Sequence, residues 1–444
     1  MKLAPEDLYQ KLEFDKILEI VQSYCQGPLG RSMVDRMEPE TQKFILDRKL
    51  KEVLEMKLSI DEQHHFPLAT YPNVSEELRM LEIPGFVLSE QQLFLLSRSI
   101  RVIYRIYQFF KADKQELYPT LYDIIRETVF DDYLLGKIDH IIDEEGNIKP
   151  NASPELMRIR RLQNSKRKEL DKVFRSLINN FKSKGLLKDN EESFRNGRRV
   201  LAVPAEHKRQ IKGIIHDESA TGKTAFVEPE AIIHINNDIF DLEREEKREI
   251  YRILRDVSEQ LSAYVPVLNT YQGIIGRYDI INAKSRLAKT MNGQAPKLVD
   301  TPHFAIKNAL HPLLYLKNKK ADKKTIPFDL AFLNNNRILV LSGPNAGGKS
   351  ISLKAVGLLQ LMVQCGMLVP IDPKSEMGLF EKIFIDMGDQ QSLEDELSTY
   401  SSRLKNTKDF LAEANKKTLI LIDEFGSGTD PKIGGSIAEA VLQA

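Results

Sequence analysis

Phe14, Ile17, Leu18 and Val21 recur at the i, i+3, i+4, i+7 spacing of an amphipathic helix. Leu93, Leu95, Leu96, Ile100, Val102, Ile103 and Ile106 repeat the helical pattern farther on, with basic residues between them. Pro84-Gly85 and the polar run Asp143-Glu144-Glu145-Gly146-Asn147 interrupt it and read as turns. Residues 1–152 are expected to form a helical core, explained by packing and carrying no visible catalytic chemistry.

Ser153 can cap a helix, Pro154 suits its first position, and Glu155 favours the positive end of the dipole. That helix should run, charged throughout, to about Ser183, where Lys184-Gly185 ends it. Residues 193–228 change to short β-prone runs, Val200 to Val203, Ile211 to Ile215 and Thr224 to Val227, with polar turns containing Gly213 and Gly222. A second helix starts near Pro229. Its run from Glu243 to Glu249 offers i,i+4 opposite-charge pairs and reads as solvated helix surface. Residues 153–298 thus form two long helices around a small β insert. Over 299–444, apolar runs alternate with helical stretches, as in an α/β domain. Arg337 to Leu341 reads as a buried strand, Leu353 to Val363 as a helix and Thr418 to Ile422 as a second strand. The expected fold class is multidomain, α and α/β.

Composition narrows the function classes. With 444 residues, 42% hydrophobic and 29% charged, the chain has enough apolar material for several cores, so wholesale disorder is ruled out. No apolar stretch approaches bilayer length, and the first residues lack a signal-peptide layout, so no membrane partner is expected. Cys25 and Cys365 make no disulfide scaffold or zinc site, and a reducing cytoplasm fits them best. The 64 Lys and Arg cancel the 64 Asp and Glu, so bulk charge names no partner. Locally the balance differs: from Ser153 to Val227, 18 cations stand against 9 acids, a net +9. A basic helix and β tip on an acidic body is the pattern of a phosphate-backbone contact surface. The candidate contacts are Arg195, Arg198, Arg199, Lys208, Arg209, Lys212 and Lys223. A solvated face without a partner is the alternative.

The chemistry lies in the last segment. Gly343, four residues (Pro344, Asn345, Ala346, Gly347), then Gly348-Lys349-Ser350 is a complete phosphate-binding loop between a strand pattern and a helix pattern. Its glycines let backbone N–H groups, through Ile351, converge on phosphate oxygens. Lys349 reaches the terminal phosphates and Ser350 can ligate Mg2+. The strand Thr418 to Ile422 ends in Asp423-Glu424. Asp423 is placed to hold Mg2+, and Glu424 to orient and polarise an attacking water. Together these residues call for ATP with Mg2+, and hydrolysis as the reaction.

Gly343 to Ser350, with Pro-Asn-x-Gly-Gly inside, is similar to the phosphate loop of the MutS family. Leu397-Ser398-Thr399-Tyr400-Ser401 resembles its Ser-Thr-aromatic signature, and Asp423 to Pro431 its Asp-Glu-x-Gly-x-Gly-Thr segment; His311-Pro312 also fits. Ser427 and Asp430-Pro431, the segment Leu12 to Leu18 with Tyr24 and Leu29-Gly30-Arg31, and Gly197 to Val200 through Phe226 to Pro229 resemble the recombination-suppressing endonuclease MutS-two branch. The resemblance covers nearly all 444 residues. It implies an ABC-type ATPase in which two subunits sandwich ATP, with Ser398 and Thr399 reaching the partner's γ-phosphate. It implies lever helices and a reduced clamp at 193–228, and action on branched DNA or collided ribosomes through ribosomal RNA. It also implies a fragment, without the end of the ATPase domain or the C-terminal nuclease domain, so that nuclease action is expected only of a longer chain. A mismatch-repair MutS-type ATPase is the runner-up. Phe226-x-Glu228 echoes that enzyme's mispair wedge, but in the wrong region, and it reads as core strand.

Overall fold

The stripe near the start of the chain becomes the helix Phe14–Tyr24, which buries Phe14, Ile17 and Val21. The computed structural model describes residues 1–111, 113–187, 192–332, 336–343, 348–387, 396–426 and 430–443, leaving aside the side chains of 396–403 and 431. Among them are the strands β1 (Lys2–Ala4), β2 (Glu192–Arg195), β3 (Arg198–Pro204), β4 (Gly213–Glu218), β5 (Thr224–Pro229), β6 (Lys297–Val299), β7 (Phe304–Ala309), β8 (Phe328–Ala331), β9 (Glu376–Gly378), β10 (Lys382–Asp386) and β11 (Thr418–Ile422). They form three small sheets among many helices, so the architecture is mixed α and β. Two compact units result. One comprises Met1–Asn73, Ser99–Phe130 and Thr270–Ala444, and the other Val74–Arg98 and Asp131–Asn269.

In the first unit, β1, β10 and β11 form a parallel sheet in that order, so the first residues of the chain join strands from its last quarter. A second sheet has the order β6-β9-β7-β8. The helix Lys349–Gln364 is buried without a break from Ala355 to Gln364, and so shows no one-sided stripe. Gly357 is where its neighbours come closest: a Cβ there would lie 2.8 Å from Leu421 Cδ1 and 2.9 Å from Leu12 Cδ2. The buried amides on this helix find backbone acceptors. Gln364 Nε2 donates to the carbonyls of Glu40 at 2.8 Å and Phe380 at 2.9 Å, and Gln360 Nε2 to that of Gly378 at 3.0 Å.

The run Arg337 to Leu341 departs from expectation. It adds no rung to any of the three sheets, and Ile338, Leu339, Val340 and Leu341 are all exposed. Hydrophobicity says that a segment gains by burial, but it names no strand to pair with, and pairing is what makes a strand. Among the described residues β11 pairs with β10 alone, and its other edge takes no partner from 337–341.

In the second unit, Ser153 Oγ accepts from Leu156 N at 3.0 Å, with Pro154 in the first turn, and so starts the helix Pro154–Ser183 where the caps placed it. Gly185, at φ 72°, ends it. Its partner is the helix Glu230–Ser262. Ser153 meets Glu249, Arg160 meets Glu246, and the neighbours Lys166 and Arg167 meet Asp238 and Glu243; the start of one helix lies by the later part of the other, so the two run antiparallel. The reading of Glu243 to Glu249 as solvated surface holds for Arg244, Glu245, Lys247 and Arg248, which are exposed, and is corrected at the other three. Glu249 is buried under the Ser153 cap, and Glu243 and Glu246 reach across to the other helix.

The sheet of this unit is antiparallel, in the order β2-β3-β5-β4. β2 was not foreseen, although Asn196-Gly197 is a strong hairpin signal. Both residues have positive φ, 49° and 75°, and they join Arg195 to Arg198 in a two-residue turn. Gly213 is not in a turn: it sits in the ladder opposite Pro229, where a Cβ would come within 2.0 Å of the Glu228 carbonyl oxygen. Gly222, at φ 66°, does occupy a turn. The core includes Phe174, Leu201, Val203, Val227, Ile232 and Ile235, drawn from both helices and the sheet.

Candidate functional site

The helix Lys349–Gln364 begins directly after Gly348, whose φ of 82° turns the chain into it. Gly343 also has positive φ, at 149°, and among the described residues no non-neighbouring atom comes within 4 Å of where a Cβ would stand on either glycine. Lys349 Nζ reaches back to donate to the Gly343 carbonyl, so its ammonium folds over the loop toward its start. Ser350 is half-buried and Ile351 exposed, in the first turn. Pro344, Asn345, Ala346 and Gly347 lie outside the described residues. Ser398 and Thr399 fall in the helix Glu396–Glu413, outside the described side chains.

The same helix rests on β11 through Gly357 and Leu421. β11 ends in Asp423, whose N–H donates to the Asp386 carbonyl at 2.9 Å, and whose carboxylate accepts from Glu424 N at 3.0 Å. Glu424 is exposed and has φ 53°, a left-handed conformation that costs a residue with a Cβ about 1–2 kcal/mol. A cavity at this strand end is lined in part by Asp386, Leu404, Thr407, Asp423, Glu424 and Gly434. Acids at the carboxyl end of parallel strands occupy the usual ligand side of such sheets. Asp386 was missed in the sequence, although Ile383-Phe384-Ile385-Asp386 repeats the pattern of apolar strand then acid. Permissive glycines before a helix start, a lysine beside them and a strand ending in two acids fit a nucleoside triphosphate with Mg2+. Upstream, buried His311 caps the helix Pro312–Lys320, its Nδ1 accepting from Leu314 N at 3.5 Å; burial holds its imidazole below the usual histidine range.

The seven basic candidates do not gather into one patch. Arg198 donates to Glu228 Oε1 at 2.9 Å and to Asn237 Oδ1 at 2.5 Å. Arg199 donates to Glu192 at 2.9 Å, pairs with Asp171 and lies 4.3 Å over the Phe174 ring. Arg195 stacks 3.5 Å over Phe226 and donates to the Phe194 carbonyl at 2.8 Å. Lys208 pairs with Glu218 at 2.5 Å. Arg209, Lys212 and Lys223 are exposed, and none has an ion-pair partner among the described residues. Lys223 lies at the sheet end where its carbonyl accepts from Ala205 N, and Lys212 at the opposite end, where its carbonyl accepts from Glu230 N.

Glu228 has no exposed surface. Burial pushes its carboxyl upward, but hydrogen bonds from Asn236, His216 and Arg198 outweigh burial and hold it below the usual glutamate range. Phe226 is buried beneath Arg195. Neither side chain is available as a wedge between bases.

Residues 339–444 match the family model described as MutS domain V. The chain is similar along its length to proteins named endonuclease MutS2. It is 37% identical to that of Ruminiclostridium cellulolyticum over 440 residues, 99% of this chain and 54% of the relative. It is 34% identical to that of Alkaliphilus oremlandii, over 98% of this chain and 54% of the relative, and 32% identical to that of Aquifex aeolicus, over 98% and 55%. The chain spans about half the length of the curated relatives it matches. No helix among the described residues is long and apolar enough to cross a membrane. Identity sustained over nearly every residue, with the segment Gly343 to Ser350 and the paired acids inside it, places the chain in the MutS family, in its MutS2 branch.

Proposed function

We propose that this chain is an ATP-operated clamp that grips nucleic acid. One observation carries the reading: the helix that starts at Gly348-Lys349 lies on the strand that ends in Asp423-Glu424. Bound Mg-ATP would supply the phosphoanhydride bond to be cleaved. Backbone N–H groups from Asn345 through Ile351 hold the phosphates, and Lys349 swings from the Gly343 carbonyl onto them. Ser350 and Asp423 hold Mg2+. Glu424 orients and polarises the water. In this reading residues 299–444 are an ABC-type ATPase domain, 153–298 levers and clamp, and 1–152 a helical core. Two copies sandwich the nucleotide, with Ser398 and Thr399 of one completing the site of the other. The substrates proposed are branched DNA, which would suppress homologous recombination, and the ribosomal RNA of collided ribosomes. Burial of Phe226 and Glu228 disfavours mismatch recognition.

The test is Lys349→Ala. Titration calorimetry with Mg-ATP should find affinity reduced by about 100-fold, the weight of a charge-assisted contact to phosphate, with the melting temperature little changed. Unchanged affinity would remove the phosphate-loop assignment. Glu424→Ala, by contrast, should keep ATP affinity and slow phosphate release.

A further inference from the structure

The positive charge of the second unit is more ordered than its total shows. Of the cations on the helix Pro154–Ser183, several are tied down: Arg158 to Glu155, Arg160 to Glu246, Lys166 to Glu169 and Asp238, and Arg167 to Glu243. The three acids of the helix are held as well, Glu155 by Arg158, Glu169 by Lys166 and Asp171 by Arg199. Arg161, Lys168, Lys172 and Arg175 are left. All four are exposed, and none has a hydrogen-bond or ion-pair partner among the described residues.

Their spacing is i, i+7, i+11, i+14. At 100° per residue they stay within about 60° of one another, in a row about 21 Å long. Leu156, Ile159, Gln163, Leu170 and Phe174 are the buried residues of this helix, and they fall on its opposite side. The row is therefore the outermost ridge of the helix. Ser165, Ser176 and Asn179, all exposed, share the ridge and bring no negative charge to it. The other long helix differs: its exposed residues include Asp241, Glu245 and Glu259 beside Arg244 and Arg248, so its outer face carries both signs.

We infer that Arg161, Lys168, Lys172 and Arg175 form a linear binding ridge for the phosphate backbone of a nucleic-acid duplex. A straight row of unpaired cations, with Ser165 inside it and Ser176 and Asn179 continuing it, suits a row of phosphates and neutralises backbone without reading bases. The sheet arginines, which bond to Glu228, Glu192 and Asp171, hold the fold instead. The ridge rests on the nucleic-acid part of the function proposed above and assigns that contact to the helix.

The experiment measures affinity of this 444-residue chain for plain duplex DNA and for an RNA duplex of equal length, across a salt series. The variant R161Q/K168Q/K172Q/R175Q is compared with the wild type, with the charge-retaining R161K/R175K, and with the four single glutamine variants. Each contact contributes about 0.9 to the slope of log affinity against log salt, so the quadruple variant should lose about 3.6 from the slope. Between 50 and 200 mM salt the wild type should then weaken about 150-fold more than the variant does. R161K/R175K should keep the wild-type slope, and the single variants should lower it in steps. Loss on DNA alone, or on both duplexes, tells which backbone the ridge accepts. Wild-type affinity and slope in the folded quadruple variant would overturn the ridge and leave the clamp reading standing. Failure of the wild type to bind either duplex would overturn the ridge, and the clamp reading would fall with it only if a four-way DNA junction at the same salt also went unbound.

Discussion

Glu228 and Glu424 both follow a run of apolar strand residues, yet one ends with no exposed surface under three hydrogen bonds, and the other stands exposed in a left-handed conformation. The difference lies in where each strand goes next. β5 is an inner strand of an antiparallel sheet, and it leads at once into a helix that packs back on it, so Asn236 and Arg198 close over the acid. β11 is parallel to β10, and its carboxyl end opens on the cavity lined in part by Asp386, Thr407, Asp423 and Glu424. An acid after an apolar strand is therefore not in itself a sign of function. An acid at the open end of a parallel sheet is.

The strongest way to break this contrast is Glu228→Ala. Removing the carboxylate strands Arg198, His216 and Asn236 and should cost about 3–5 kcal/mol, read as a lower denaturation midpoint of the second unit. Glu424→Ala should stay within about 0.5 kcal/mol of the wild type. Equal costs would erase the distinction. Acid sharpens it. The Glu228 carboxyl is held below its unfolded value, so its stabilisation is complete above that value, about 4.3, and fades as pH falls through the lower folded one. Amide protection along β3 and β5, measured relative to the intrinsic exchange rate at each pH, should fall below about pH 4, and unchanged protection would contradict the buried pairing.

A smaller effect tests the first unit. Gly357→Ala forces a methyl against Leu421 and Leu12 and should lower stability by about 1–3 kcal/mol in thermal melts. A neutral result would mean that the helix does not rest on β11. Smallest of all, Arg195→Ala removes a guanidinium stacked on Phe226 and should cost about 0.5–1 kcal/mol. A loss of several kcal/mol would make Arg195 as structural as Glu228.

Much of this was legible along the chain. Ser153, Pro154 and Gly185 mark their helix because capping is chemistry between residues close in sequence. Gly348-Lys349 announces a helix start for the same reason. Asn196-Gly197 is equally local, a two-residue turn that joins β2 to β3. The basic candidates were found by counting charge, and counting does not say which cation meets which acid. Arg198, Arg199 and Lys208 meet acids up to 30 positions away.

The sequence by itself determined the family, the two long helices, the helix start at Gly348-Lys349 and the strand leading into Asp423-Glu424, since each is written in neighbouring residues or in a period. Only the tertiary structure decided that β1 pairs with β10, that Arg337 to Leu341 joins no sheet, and that Arg161, Lys168, Lys172 and Arg175 are the cations left over. Strand pairing and ion pairing join groups far apart in the chain, and their partners are chosen by geometry that no local pattern records.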